Sequence, residues 1–230
     1  ITPVSMKEYG YDKFTKTWNE ESVKIALKAA NHSNRKIAVA GSVSTSGSWD
    51  KLSEEDIKPS FNEHLKILKE AGVDLIILEA MTSKDRTVEN IIECSKNVKL
   101  PIWLSISCAI NEDENILMHG YQESITNSKA KFYDTLENSL SKFSKMHEGP
   151  ILVAHSDIKV TGEAIKILKK VHKGIVGAYP NNGYFEKPHW KLINDISPSK
   201  YLEEAKNWIS NGAQIIGGCC GVGPDKISAI

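Results

Sequence analysis

The residues of this chain most able to do chemistry are two adjacent cysteines. Cys219 and Cys220 stand in the run Gly217-Gly218-Cys219-Cys220-Gly221-Val222-Gly223-Pro224. Neighbouring side chains on an extended strand point to opposite faces, so two such thiols reach one ion only where the backbone bends sharply between them. Four glycines within seven positions permit that bend. Thiolates bind Zn²⁺ well, and a catalytic zinc keeps one position open beyond three protein ligands. Two other readings of the same run stay open. Glycine amides in a late barrel loop can cradle phosphate, and two cysteines can be small buried apolar side chains. Cys94 falls within a helical pattern and reads as structural, and Cys108 reads as packing or as a pocket wall.

Something must position those sulfurs. Six short apolar runs recur, at Lys36–Ala40, Asp74–Leu78, Pro101–Ile106, Pro150–Ala154, Gly174–Ala178 and Gln214–Gly217. They are continuous rather than alternating, the pattern of strands buried on both faces of a parallel sheet. Helical patterns lie between them, over roughly 20–32, 54–71, 84–97 and 128–147. A helix able to start at Thr161 puts Ala164, Ile165, Leu168 and Val171 on one face. Another opens at Ser197-Pro198, carries Tyr201, Leu202, Ala205, Trp208 and Ile209 on one face, and stops before Gly212.

Alternating β and α segments predict a single parallel α/β domain over residues 1–230, either doubly wound or a closed (β/α)₈ TIM barrel. The barrel is favoured because polar residues follow nearly every strand: Gly41-Ser42, Glu79, Ser107-Cys108, His155-Ser156, Tyr179-Pro180-Asn181 and the cysteine pair. Barrels gather function at that rim, whereas a doubly wound sheet concentrates it at one switch point. Six strands are two short of eight, so a chain clipped at both ends is expected, with Pro224 opening a last helix.

Composition narrows the function. There are 230 residues, with 29 basic and 29 acidic side chains and a formal net charge of zero. Without a basic block, neither nucleic acid nor an anionic membrane is expected as the main partner. No apolar run approaches the ~20 residues of a bilayer span. The first ten residues lack the pattern of a secretory signal, so a cytoplasmic location with reduced thiols is expected. An oligomer is compatible with this composition.

Gly217-Gly218-Cys219-Cys220-Gly221 after a last strand resembles the signature of the homocysteine S-methyltransferases. These include betaine- and S-methylmethionine-dependent enzymes and the homocysteine domain of cobalamin-dependent methionine synthase. Val39–Val43, Leu78-Glu79-Ala80, Ile102–Ser107 and Tyr179–Gly183 agree with it in the same order. The resemblance implies a (β/α)₈ barrel that binds homocysteine through zinc held by three cysteines, two of them matching Cys219 and Cys220. The third normally lies in an Asn-Cys pair, where this chain has His155-Ser156. Three outcomes follow: His155 supplies a nitrogen, Cys108 reaches across, or the site is weakened or lost. His155 ranks first, against its reading as a hydrogen-bonded rim histidine. The resemblance also gives Glu79 the amino group of homocysteine. Ser42, Ser107 and Asn181 are candidates for its carboxylate or for the donor pocket, and the aromatics Trp49 and Tyr184 could face a methylated cation.

The expected chemistry is zinc-dependent transfer of a methyl group from a sulfonium or ammonium donor to the homocysteine thiol, forming methionine. Metal coordination removes the thiol proton while sulfur stays nucleophilic. The donor leaves as a neutral molecule, so alignment in a shaped pocket suffices. The competing expectations are a degenerate, non-catalytic barrel that binds a small molecule and a phosphate-binding barrel enzyme.

Overall fold

The computed structural model describes residues 2–45, 53–82, 85–120, 122, 133–186, 189–192 and 196–230. The chain forms two compact units, one of Ile1–Glu79 with Ser83–Trp103 and one of Ala80–Thr82 with Leu104–Ile230.

The first unit opens with α1 (Pro3–Glu8), capped by the Thr2 side chain, then a 3₁₀ turn (Asp12–Phe14) and α2 (Thr15–Asn31). Strand β1 (Ala40–Ser44) leads to α3 (Glu54–Ala71). The Ser53 side chain caps α3 at the start, and Gly72, left-handed at φ 96°, releases the chain at its end. Then come β2 (Leu75–Met81), α4 (Asp85–Ser95) and the first residues of β3 (Ile102–Ile106). β1 and β2 pair in parallel from Ala40↔Leu75 to Ser44↔Glu79, and Ile76 donates its amide to the Pro101 carbonyl. Val43, Phe61, Leu65, Ile76 and Ile91 fill the core.

The second unit carries the end of β2, the body of β3 and a hairpin of β4 (Ala109–Ile110) with β5 (Ile116–Leu117). There follow α5 (Leu136–Met146), β6 (Ile151–Asp157), α6 (Ile158–Val171) and β7 (Val176–Asn181). A second hairpin joins β8 (Tyr184–Glu186) to β9 (His189–Lys191), before α7 (Pro198–Ser210), β10 (Ile215–Ile216) and α8 (Pro224–Ala229). The parallel order is β3-β6-β7-β10, with helices between β6 and β7 and between β7 and β10. Ile106, Leu152, Val153, Ala178, Tyr201 and Trp208 are fully or nearly fully buried.

The fold is therefore α/β with a parallel sheet, and each of the six apolar runs meets a parallel strand. Three expectations need correction. The first strand starts four residues late, because the Val39 amide bonds to the Asp74 carboxylate and the ladder with β2 begins only at Ala40. Helix α6 starts at Ile158 rather than Thr161, because Asp157 caps it through the Lys159 amide. In the 128–147 region, helix begins at Leu136 with the Thr135 cap, and residues 123–132 lie outside the described ones. Among the described residues no helix is long and apolar enough to cross a membrane.

Candidate metal centre

After β10 the chain runs beside the end of β7. Gly217 donates its amide to Ala178, Cys219 donates to Pro180, and the Cys220 carbonyl accepts from Asn182. The Val222 amide closes a turn on the Cys219 carbonyl at 3.1 Å. Gly221 is the third residue of that turn at φ 74°, where a side chain is disfavoured. A Cβ there would also collide with the Asn182 carbonyl oxygen. The turn supplies the bend that the adjacent cysteines require, and their Sγ atoms stand 3.8 Å apart with no disulfide between them.

The third corner comes from β6. Its pairing with β7 passes from Ala154↔Tyr179 to Asp157↔Asn181, so His155 and Ser156 stand opposite Pro180 alone. This is a bulge, which bends a strand and re-aims side chains. His155 takes the left-handed conformation at φ 48°, a strain of ~1–3 kcal/mol for a non-glycine residue. Its Nδ1 lies 3.7 Å from each cysteine Sγ. The three donor atoms form a nearly equilateral triangle that could hold a metal ion.

Ser156 serves elsewhere. It is buried, its hydroxyl donates to the Ala154 carbonyl at 2.8 Å, and it accepts the Cys108 amide at 2.9 Å. The Cys108 thiol lies 3.6 Å from the same hydroxyl. Burial pushes that thiol up to about 12, with the serine hydrogen bond opposing. Of the candidates for a third donor, the structure thus brings His155 to the cysteines and keeps Cys108 with Ser156.

The Cys219 thiol is also held above its ordinary range, first by its hydrogen bond to Cys220 and then by burial, while His155 pulls it down. An ion arriving here must displace protons. Trp190 of β9 flanks the centre, its ring centroid 6.4 Å from that of His155 and its Nε1 donating to the Asn182 carbonyl at 3.0 Å.

Two other expected residues of this unit are buried with idle polar atoms. Ser107 is fully buried and Asn181 is 7% exposed. Ser107 Oγ and Asn181 Oδ1 have no partner among the described residues. A buried polar atom left unpaired costs ~1–3 kcal/mol, so both positions are suited to a ligand. In the first unit, the Ser42 hydroxyl donates to the half-buried Glu79 carboxylate. Ser42 thus orients Glu79. Trp49 lies outside the described residues.

The sequence did not point to Trp190 or Asp157. Trp190 sits in a three-residue strand too short for any period, and Asp157 was hidden by the displaced helix start; an Asp before an apolar helical stretch was the available signal.

The homocysteine S-methyltransferase family profile matches residues 1–230. A selenocysteine methyltransferase from Astragalus bisulcatus is 24% identical over 218 residues, covering 85% of this chain and 58% of the relative. Homocysteine S-methyltransferase 3 from Zea mays is 29% identical over 189 residues, covering 77% and 49%. The chain therefore spans about half the length of these curated relatives. Among solved structures, the metallated form of the homocysteine methyltransferase MmuM from Escherichia coli superposes with a TM-score of 0.71 at 20% identity, over 99% of this chain and 74% of that one. At that identity the likeness speaks to the fold.

Proposed function

The chain belongs to the homocysteine S-methyltransferase family, and on that premise we propose that it transfers a methyl group from a sulfonium or ammonium donor to the thiol of homocysteine, forming methionine, with zinc bound by His155, Cys219 and Cys220. The observation that carries this reading is the donor triangle. Tetrahedral zinc, with bonds of about 2.3 Å to sulfur and 2.05 Å to nitrogen, needs S···S near 3.8 Å and S···N near 3.6 Å. The three sides here are 3.8, 3.7 and 3.7 Å. Two thiols and an imidazole also suit zinc in softness. Three protein ligands leave one position for a substrate thiol.

Zinc bound there would supply the Lewis acidity that lets a thiol lose its proton at neutral pH. The chain's own residues do the rest. Ser107 offers a polar contact to the bound amino acid. In the first unit, Glu79, oriented by Ser42, is a carboxylate suited to accept hydrogen bonds from an α-amino group. The six parallel strands form part of a (β/α)₈ barrel, and residues 1–230 act as one homocysteine-binding domain in the cytoplasm. The phosphate reading is disfavoured because the amides of Gly217, Cys219 and Val222 are already bonded to carbonyl oxygens.

Elemental analysis and a methionine-forming assay on the purified protein test this function. The expected result is about one zinc per chain and methyl transfer to homocysteine from a sulfonium or betaine donor. Sub-stoichiometric zinc after metal-replete expression, or no methionine from any such donor, overturns it.

A further inference from the structure

Resting on that reading, we propose that the cavity beside the His155 bulge seats the positively charged head of the methyl donor, recognised by the Asp157 carboxylate and the Tyr184 ring. The cavity is about 250 Å³ and is lined by His155, Asp157, Asn181, Tyr184 and Gln122 among others. That is slightly under the ~300–1,000 Å³ of pockets for drug-sized ligands, so it suits a small metabolite. It shares His155 with the candidate metal centre, so a molecule bound there lies next to one of the three donor side chains.

The lining distinguishes a cation from other ligands. Asp157 uses one carboxylate oxygen to accept the Lys159 amide at 2.7 Å, which leaves the second for a ligand. Tyr184 brings an aromatic face, which attracts sulfonium and quaternary ammonium groups without needing a hydrogen bond from them. Asn181, buried and with its Oδ1 idle, adds a second acceptor. Gln122 is held as a wall, since both its amide oxygen and its amide nitrogen are bonded to the Ile110 backbone. Lys159 and Lys200 line an adjoining cavity instead of this one, and Lys200 is paired with Glu203 and Glu204. A carboxylate, an aromatic ring and an acceptor, with no lysine or arginine among the described lining residues, fit an onium ion that cannot donate a conventional hydrogen bond.

The chemistry balances with the donor so placed. The thiol proton goes to water first. The new S–CH₃ bond forms as the onium–methyl bond breaks, and that electron pair stays on the donor, which leaves neutral. A product without charge loses its attraction to Asp157, so the same subsite favours release.

The test is calorimetry on the zinc-loaded full chain with S-methylmethionine, glycine betaine and the uncharged thioether methionine. At least one onium compound is expected to bind roughly tenfold more tightly than methionine, a margin of about 1.4 kcal/mol. Asp157→Asn is expected to remove that margin while keeping the helix, because asparagine caps as well as aspartate. Tyr184→Leu is expected to lower onium affinity severalfold and leave methionine unchanged. The proposal is overturned if neither onium exceeds methionine on the wild-type protein, or if the margin survives Asp157→Asn. Homocysteine titrated into the same samples separates the two ideas. A lost onium margin with homocysteine still bound removes the donor subsite alone. An intact margin without homocysteine binding removes the transferase reading and leaves the cation site standing.

Discussion

Cys108 and Cys219 both hold their protons more tightly than a thiol in water, but for different reasons. For Cys108 the first cause is burial, and its polar neighbour is the hydroxyl of Ser156. For Cys219 the first cause is the second thiol, Cys220, and an imidazole nitrogen opposes the shift from 3.7 Å away. A tightly held proton therefore marks two opposite situations. One sulfur has no partner with which to share an ion. The other lies in a ring of soft donors whose protons a metal can displace. Cys94 belongs with the first kind: it is buried in α4, and its thiol donates to the Lys58 carbonyl at 3.9 Å.

The widest split between the two kinds lies in metal content. Cys219→Ser and Cys220→Ser should each drop bound zinc from about one per chain to nearly none, while Cys108→Ser and Cys94→Ser leave it unchanged. Elemental analysis reads this, and zinc lost with Cys108→Ser would break the comparison. Next in size is the imidazole. His155→Ala should weaken zinc at least tenfold to a hundredfold, the cost of losing even a supporting group. His155→Cys should recover most of it, as competition with a chromophoric chelator would show.

The geometry beneath the sulfurs is tested by Gly221→Ala. A left-handed backbone and a blocked Cβ should cost about 2–4 kcal/mol in urea unfolding. Gly10→Ala, also at positive φ but with nothing within 4 Å, should cost only about 1 kcal/mol. A comparably small effect is expected of Cys108→Ala, about 1–2 kcal/mol of lost packing with zinc content intact.

Much of this was readable from the residues because local physics wrote it there. The Ser197-Pro198 start and the Gly212 stop of α7 are read from capping alone, and the structure places the helix at Pro198–Ser210 with Gly212 at φ 108°. The adjacent cysteines were legible because so few arrangements place two thiols among four glycines. The third corner was legible only as a choice. Sequence could not say that a bulge would turn His155 toward the sulfurs and send Ser156 to Cys108, because a bulge is decided by pairing between strands far apart in the chain. The same holds for Trp190, whose position depends on a hairpin meeting the Gly221 turn, and for the pairing of Ser42 with Glu79 across 37 residues.

The extra residue in β6 has one more consequence. A regular strand alternates its side chains odd and even, and inserting one residue resets the parity. Everything after Ala154 counts from that new origin, including Asp157 opposite Asn181. Deleting either His155 or Ser156 would restore a tidy ladder and turn the following side chains to the wrong face. At this point the chain tolerates a change of letter better than a change of length, and gaps here should be rarer than substitutions among its relatives.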